Sequence, residues 1–293
     1  MSSFYIILTG SLVAVSCAIL GCFLILRKMA MVGDAISHAV LPGIVIAFLW
    51  TGSRDSFAML LGAGALGIIA TFLIEFFTNK GNLQSDAAIG VTFTWLFALG
   101  IILISAFTGQ VDLDQECVLY GEIAYVPLDT IMLASGVDIG PQAIYLLGAV
   151  LLLVIAFVLL GFNQLRLTSF DPQYAISLGI SATLWNYLLM AFVSFTTVAS
   201  FESVGAILVV AFLIAPAASA YLLTKKLKYM IILASVFGVL SSIGGHFLAV
   251  WLNGSIAGAM ATIAGLIFGI AFVYVRLRTK RYAKMASGES IIA

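Results

Sequence analysis

Charged residues are scarce in this sequence, and their scarcity indicates the class of protein. Only 9% of the 293 residues are charged, whereas 63% are hydrophobic. A soluble globular chain carries about 25% charged residues, so this composition argues against a soluble protein, including one that binds nucleic acid. The mean hydropathy of +1.19 and the recurring apolar runs, each long enough to cross a bilayer, predict a polytopic membrane protein.

Motifs that carry enzymatic chemistry are also missing. The chain has no GxxxxGK[ST] motif for ATP and no HExxH motif for a catalytic metal. With only two histidines, His38 and His246, it has little from which to build a catalytic zinc centre. Its three cysteines, Cys17, Cys22 and Cys117, form no CxxC pair, and we expect Cys17 and Cys22 to be small buried apolar residues. The sequence therefore predicts neither an enzyme nor a permanently bound cofactor.

Long apolar runs fill most of the chain and predict an all-α bundle of transmembrane helices. Each crossing requires about 20 mostly apolar residues. The break near residues 199–204 is too short to prove a turn at the membrane surface, so we expect eight or nine crossings. The runs cover residues 4–26, 33–50, 56–77, 86–107, 141–162, 181–200, 203–223, 229–251 and 256–275.

The basic residues predict how these helices are oriented. They follow the first, third, fifth, seventh and ninth runs, and Arg54 is the exception. Because short cytoplasmic loops are enriched in Lys and Arg, we expect the N-terminus outside and the C-terminus inside. Residues 1–280 then form a single membrane domain, and residues 281–293 form a cytoplasmic tail. The residues predicted inside are Arg27, Lys28, Lys80, Arg166, Lys225, Lys226, Lys228, Arg276, Arg278, Lys280, Arg281 and Lys284.

An acidic loop over residues 108–140 lies on the predicted external side. One interpretation is an ordinary solvated loop; another is a negative surface that gathers cations or docks a basic partner. The loop has no Lys or Arg, and its carboxylates are Asp112, Asp114, Glu116, Glu122, Asp129 and Asp138. Its apolar residues predict that part of it packs on the helices, and these are Val118, Leu119, Tyr120, Ile123, Tyr125 and Val126.

The stretch MVGDAISHAVLPG, residues 31–43, contains the main candidate site. Asp34 and His38 are four residues apart, so on a helix they share one face, from which Ser37 is rotated away. A carboxylate and a neutral imidazole are both ligands for first-row divalent cations. The alternative is structural, with Asp34 as a helix N-cap and His38 as a hydrogen-bonded core residue. Pro42 and Gly43 follow one turn later and predict a bend.

A few further residues are weaker candidates for a cation site. Glu202, near the predicted outer surface, is one because buried carboxylates in membranes are costly and often functional. Glu75 lies close to Lys80 and is expected to reach the interface, and Asp86 is expected to cap a helix. His246 follows two glycines and is more simply interpreted as a packed contact between helices.

The segment LRLTSFDPQYAISLGIS, residues 165–181, lies between two runs on the predicted cytoplasmic side. It predicts a short helix with Asp171 as N-cap, Pro172 at its first position and Gly179 at its end. A short helix across the cytoplasmic face is suited to docking a soluble partner. An ordinary interfacial connector is the alternative.

These motifs together resemble the permease subunits of bacterial ABC importers for manganese, zinc and iron. GDAISHAVLPG is similar to the most recognisable motif of that family, and SDAAIGVTFTWLFALGIILIS to its fourth-helix region. FDPQYAISLGI resembles its coupling segment, and VGAILVVAFLIAPAASAYLLT a later conserved stretch of the family. WLNGSIAGAMATIAG and LYGEIAYVP are closer to the manganese branch. The similarity covers nearly the whole chain in the expected order.

The resemblance implies a multi-pass protein of the bacterial plasma membrane with a type II ABC importer fold. A second permease subunit, identical or paralogous, would complete the translocation path. Two cytoplasmic ATPase subunits would supply energy, and an external solute-binding protein would deliver the metal. Asp34 and His38 would be the ligands of the transported ion, with Glu202, Glu122 and His246 as weaker candidates. The coupling role would fall on Phe170, Asp171, Pro172, Tyr174 and Gly179.

Mn²⁺ is the cargo that the resemblance favours, while Zn²⁺ and Fe²⁺ stay open because oxygen and nitrogen ligands bind all three. A permease for metal chelates such as cobalamin or siderophores is the alternative within transport, and it would need no direct cation ligands. A proton-coupled secondary transporter is a further alternative, which would need no ATPase subunit. An intramembrane metalloenzyme is a third, against which the shortage of histidines already argues.

Overall fold

A computed structural model describes residues 2–51, 56–81, 83–107, 123–132 and 138–286. Nine spans within these ranges are long and apolar enough to cross a membrane, which confirms the helical bundle and decides between eight and nine. The second span consists of two helices, α2 and α3. The helices are α1 (Ser2–Leu26), α2 (Val32–Ala39), α3 (Leu41–Thr51), α4 (Ser56–Asn79), α5 (Ser85–Phe107), α6 (Gln142–Leu160), α7 (Phe162–Phe170), α8 (Pro172–Ser177), α9 (Ala182–Val204), α10 (Ala206–Leu223), α11 (Leu227–Leu252) and α12 (Ile256–Ala286).

Gly205 explains why the sequence left the number of crossings open. The chain passes from α9 to α10 through this one residue, at φ 80° and ψ 157°. That conformation is essentially restricted to glycine, and its N–H donates to the Phe201 carbonyl at 2.9 Å. Two helices therefore meet without an intervening loop, and the polar residues Glu202 and Ser203 belong to the last turn of α9.

α1 lies at the centre of the bundle and is the most buried of the nine spans. It packs on α6, α9, α10 and α11, while α12 covers α10 and α11. Cys17 and Cys22 are both buried in this helix, as expected. The helices α2 to α5 form a second group, which α9 joins to the first through its contacts with α4, α2 and α1.

Gly43 of the motif occupies the crossing of α3 with α4. A Cβ atom added at Gly43 would lie 2.8 Å from the carbonyl carbon of Gly62, and one at Gly62 would lie 2.7 Å from the Cβ of Ala47. Small residues allow membrane helices to approach at backbone distance. The motif glycine therefore fixes how α3 packs, one turn after the candidate site.

The described part of the acidic loop, residues 123–132 and 138–140, packs partly on the bundle. Ile123 and Val126 are buried and Tyr125 is exposed, and the 3₁₀ helix Val126–Leu128 contacts α1. The predicted packing is thus confirmed for Ile123 and Val126. The rest of this region forms a short antiparallel pair, β1 (Thr130–Met132) and β2 (Asp138–Pro141), in which Thr130 faces Pro141 and Met132 faces Asp138. The sequence did not predict this pair. Val118, Leu119, Tyr120 and Glu122 lie outside the described residues.

One end of the bundle, called the basic end here, gathers basic side chains. A cleft of about 750 Å³ opens there between α1, α7, α10 and α12, with Phe170, Lys225 and Arg278 among its lining residues. A smaller hollow beside it is lined by residues that include Arg166 and Lys228. α12 continues at this end to Ala286, so the predicted tail begins as a helix.

Candidate metal site and coupling segment

α2 carries the Asp34–His38 pair and is a separate short helix. Its N-cap is Met31, and Asp34 lies in its first turn. The Val40 N–H donates to the Ile36 carbonyl at 3.1 Å, and α3 then begins at Leu41. Pro42 falls in the first turn of α3, where the absent N–H costs little. The predicted bend is therefore a break between two helices just before the proline.

Asp34 and His38 face each other along α2. His38 Nε2 and Asp34 Oδ1 are 3.9 Å apart, and the side chains are 31% and 39% exposed in the isolated chain. The expectation that Asp34 is the N-cap is wrong, because the helix begins earlier, at Val32. Ser37 turns away from the pair and donates to the Gly33 carbonyl at 2.9 Å. The pair is partly open to the outside of this chain.

The neighbours of α2 place the pair at the depth of the middle of the bundle. The His38 ring lies 5.9 Å from the Phe93 ring and 5.5 Å from the Phe97 ring, and Phe97 is near the midpoint of α5. One turn earlier, a Cβ at Gly33 would collide with Leu213, which lies near the middle of α10. Asp34 is the second residue of the apolar run 33–50, so the sequence alone suggested that it lies near one end of a crossing. In the structure the connection after α1 turns inward, and α2 therefore begins inside the bundle.

The pair is a partial metal site by itself. Among the residues that the structure describes, no group of three or more His, Cys, Asp or Glu side chains converges. One carboxylate and one imidazole supply two ligands, whereas divalent transition metals in proteins take four to six. A third His, Cys, Asp or Glu ligand must therefore come from outside the described part of this chain.

The weaker candidates are distributed over other parts of the fold. His246 is buried in α11, its ring 5.9 Å from that of the adjacent Phe247 in an edge-on contact, and its Nδ1 has no hydrogen-bond partner among the described residues. Glu202 lies in the last turns of α9, and its side chain is outside the described part. Glu122 is also outside it. Asp86 lies inside the first turn of α5 and is not its N-cap, because the helix begins at Ser85.

α8 is the short helix that the sequence predicted for the coupling segment. Asp171 Oδ1 accepts the Tyr174 N–H at 3.0 Å, and Pro172 is the first helical residue. At the other end Gly179 has φ 79°, and the Ile180 N–H returns to the Ala175 carbonyl at 3.0 Å. The predicted start of the helix at Asp171 and Pro172 and its predicted end at Gly179 are therefore confirmed, and these residue types are the ones preferred at helix ends.

α8 and its flanks carry several exposed apolar side chains. Phe170, Tyr174, Ile176 and Leu178 are each more than half exposed, while Ala175 is fully buried and anchors the helix. Phe170 also lines the cleft at the basic end. An exposed apolar surface of this kind is typical of a segment that contacts a protein partner or the membrane interface.

The expectation that Glu75 reaches the membrane interface near Lys80 is wrong. Its side chain is 8% exposed and does not reach the surface with Lys80, which instead lies 5.8 Å from the Phe76 ring centre. Glu75 shares a side-chain hydrogen bond with Tyr187 of α9 and interacts electrostatically with Arg27. These partners come from distant parts of the sequence, so only a signal such as an intramembrane carboxylate could have indicated the cluster.

The fold and the site together define a transport protein of the membrane. The described residues form nine candidate spans, with the Asp34–His38 pair at mid-depth and a capped helix with exposed apolar residues at the basic end. This architecture is that of a permease. Comparison with known sequences makes the class more specific: the model of the ABC 3 transport family matches residues 3–275, and the chain belongs to that family.

Relatives and a solved structure agree with this assignment. The chain is 52% identical over 270 residues to the manganese transport system membrane protein MntD of Bacillus subtilis, covering 92% of this chain and 91% of that protein. It is 43% identical to the zinc transport system membrane protein TroD of Treponema pallidum, covering 92% and 73%. A solved structure of PsaBC from Streptococcus pneumoniae in complex with Fab superposes with a TM-score of 0.75 at 33% identity, covering 94% of each chain. The chain is thus a permease of a metal ABC importer, and the manganese protein is the more similar of these two relatives.

Proposed function

We propose that this chain imports divalent metal ions, with Mn²⁺ as its principal cargo, in an ATP-driven complex with a second permease subunit. The observation that carries the proposal is the Asp34–His38 pair, partly exposed at the depth of the membrane centre. An ionisable pair facing hydrocarbon would be costly. The pair must therefore be covered by protein or line a hydrated path.

A second permease subunit explains both the exposure and the missing ligands. If two related subunits face each other across a two-fold axis, each contributes the same surface, as in other closed dimers. Two Asp34–His38 pairs would then supply two carboxylates and two imidazoles to one ion. Four such ligands form a complete site for a first-row divalent cation. Either a copy of this chain or a paralogue with the same motif would supply these ligands.

The cargo assignment depends on the donors and on the relatives. Oxygen and nitrogen donors without a thiolate suit Mn²⁺, although the same donors bind Zn²⁺ more tightly. The manganese system membrane protein of Bacillus subtilis is more similar to this chain than the zinc protein of Treponema pallidum is, at 52% against 43% identity. We therefore favour Mn²⁺, with Zn²⁺, Fe²⁺ and metal chelates as the outcomes that a transport assay must separate.

The orientation follows from the basic end. If that end faces the cytoplasm of a bacterial cell, the positive-inside rule is satisfied, and α8 is presented to cytoplasmic ATPase subunits. The N-terminus and the acidic loop are then external, where an external solute-binding protein would deliver the metal. The chain itself has no P-loop, so hydrolysis belongs to the partner.

Reconstituted transport tests the function. Proteoliposomes that contain this chain, the second permease subunit and the ATPase, supplied with the binding protein, are expected to accumulate radioactive Mn²⁺ only when ATP is present. An ATPase subunit with its P-loop lysine replaced is the control. Uptake without ATP would support a secondary transporter, and uptake of cobalamin or a siderophore complex in place of Mn²⁺ would support the chelate alternative; either result would contradict the proposal.

Replacing Tyr174 by alanine should weaken binding of the ATPase subunit. Tyr174 is 53% exposed on α8, and its loss removes contact area without disturbing the core. Asp171→Ala should also weaken binding, because it removes the N-cap of α8, which stabilises the helix by about 1 kcal/mol. The measurement is co-purification of the ATPase, with coupled hydrolysis as a second readout. Tyr125→Ala is the matched control, since Tyr125 is 58% exposed on the proposed external side. Unchanged binding and coupling in the Tyr174 and Asp171 variants would argue against both the docking role and the orientation.

A further inference from the structure

Arg27 joins the candidate coupling segment to the centre of the bundle. It follows directly on α1, and its guanidinium donates three hydrogen bonds to two other helices. Nη2 bonds the Thr168 hydroxyl at 2.9 Å and Nε bonds the Ser169 hydroxyl at 3.0 Å, both on α7. Nη1 bonds Oδ1 of Asn186 on α9 at 2.6 Å. Hydrogen bonds from a charged donor are the stronger ones in proteins.

The residues that accept these three bonds flank α8 in the sequence. Thr168 and Ser169 lie in the last turn of α7, just before α8, and Asn186 lies in the second turn of α9, just after it. One side chain thus holds the helix that leads into the coupling segment and the helix that leads out of it. A displacement of α8 is therefore passed to Arg27 through its bonds with α7 or through its bond with α9.

The backbone hydrogen bonds at the end of α1 restrict the position of Arg27 and so of its guanidinium. The Met29 N–H donates to the Leu24 carbonyl at 2.9 Å and the Lys28 N–H to the Ile25 carbonyl at 3.0 Å, with Lys28 at φ 59°. This pair of bonds is a Schellman motif, in which Arg27 is the C-cap residue of α1. The residue that makes the three bonds is therefore attached rigidly to the central helix.

A buried carboxylate supports the charge of Arg27. Burial lowers the pKa of Arg27 to about 10, and the nearby Glu75 carboxylate of α4 opposes that shift. The guanidinium accordingly remains protonated at neutral pH. Glu75 is held in turn by its hydrogen bond with Tyr187, which is next to Asn186 on α9. The cluster therefore connects α1, α4, α7 and α9.

The same cluster is close in the chain to the candidate metal ligands. Residues 27–31 are the entire connection between α1 and α2, and Asp34 lies in the first turn of α2. Gly33 is packed against Leu213, so the start of α2 is confined by a neighbouring helix. A displacement of Arg27 would therefore change the position of α2 through a short and confined connection.

We propose that Arg27 is the positioning residue that transmits movement of the coupling segment to the helix that carries the metal ligands. The inference rests on the proposed function, since it assumes that α8 docks the ATPase and that Asp34 and His38 bind the cargo. Arg27 does not touch the metal in this account. Its role is to make α7, α8 and α9 move as one unit with α1.

The test is the number of metal ions imported per ATP hydrolysed, measured in proteoliposomes with the partner subunits. In Arg27→Gln, Mn²⁺ binding and ATPase association should be close to wild type, while the transport ratio should fall by about tenfold or more, because charge-assisted bonds that couple the two events are lost. Arg27→Lys should recover only part of the ratio, since an ammonium cannot reach three acceptors in a fixed fork. Arg166→Gln is the matched control, two residues before Thr168 on α7, and should match wild type.

A merely structural role for Arg27 would lower uptake and hydrolysis in proportion to the amount of assembled complex, and an unchanged ratio would overturn the proposal. Ser169→Ala and Asn186→Ala keep the guanidinium in place and test the same link if Arg27→Gln does not assemble. Each of these variants should lower the number of ions imported per ATP. Wild-type ratios in both variants would also overturn the proposal. The proposed function fails separately, if the wild-type complex itself imports no Mn²⁺ with ATP.

Discussion

Replacing Asp34 or His38 by alanine is expected to reduce Mn²⁺ uptake by at least about 100-fold, because even outer-sphere partners of metal ligands contribute 10–100-fold to affinity. Each substitution would remove two ligands from a site shared by two copies of the chain, or one from a site shared with a paralogue. The two side chains are partly exposed and lie 3.9 Å apart on one short helix, so their loss leaves no packed core residue missing. Uptake of radioactive Mn²⁺ by the reconstituted complex is the measurement.

Ser37→Ala is the control for this experiment. Ser37 lies on the same helix, but its hydroxyl is directed back to the Gly33 carbonyl, and its loss should leave uptake unchanged. Asp34→Asn keeps the shape and removes the charge, and it should behave as Asp34→Ala does. Variants of Asp34 and His38 that insert, bind the ATPase and still take up Mn²⁺ at the normal rate would remove the pair from the mechanism.

Replacing Gly245 by alanine is expected to destabilise the permease, whereas the same change at the adjacent Gly244 is not. A Cβ at Gly245 would lie 2.6 Å from both the backbone nitrogen and Cγ of Met260. Because α12 cannot yield at a backbone atom as a flexible side chain can, α11 and α12 would separate, at a cost of about 1–3 kcal/mol or more. The thermal unfolding midpoint of the purified permease in nanodiscs should fall by several degrees.

Gly244 provides an internal control of the same residue type in the same turn of α11. Among the described residues, a Cβ there would meet the side chain of Ile263 alone, at 3.4 Å from Cγ2 and 3.9 Å from Cγ1, which are ordinary contacts. Alanine is also favoured over glycine within a helix by about 1 kcal/mol. Gly244→Ala should therefore be neutral or stabilising. Equal midpoints for the two variants would show that the α11–α12 packing described here is wrong.

The helical spans could be predicted from sequence because they depend on length and apolarity, which are local properties. The caps of α8 were predictable for a similar reason, since Asp171, Pro172 and Gly179 each act on their own few residues of backbone. Gly205 shows the limit of this approach. It alone separates two helices, so the short polar stretch before it, Glu202 and Ser203, could not be told from a continuing helix.

The environments of Glu75 and His38, which the sequence misjudged, depend on contacts between distant segments. Glu75 is close to Lys80 in the chain, which suggested a surface carboxylate, yet its partners are Arg27 and Tyr187. The depth of His38 was equally hidden, because it depends on how the connection after α1 turns inward toward α10. The pair itself was visible, since the i, i+4 spacing on a helix is local.

Metal binding to the assembled complex tests the central claim most directly. Pulsed electron paramagnetic resonance of Mn²⁺ bound to the complex, with histidine labelled with ¹⁵N only in this chain, should detect nitrogen coupling from His38. The account predicts one Mn²⁺ for each pair of permease subunits, and a coupling that is absent from His38→Ala and retained in the His246→Ala control. One ion per chain, or a nitrogen signal unchanged in His38→Ala, would contradict it.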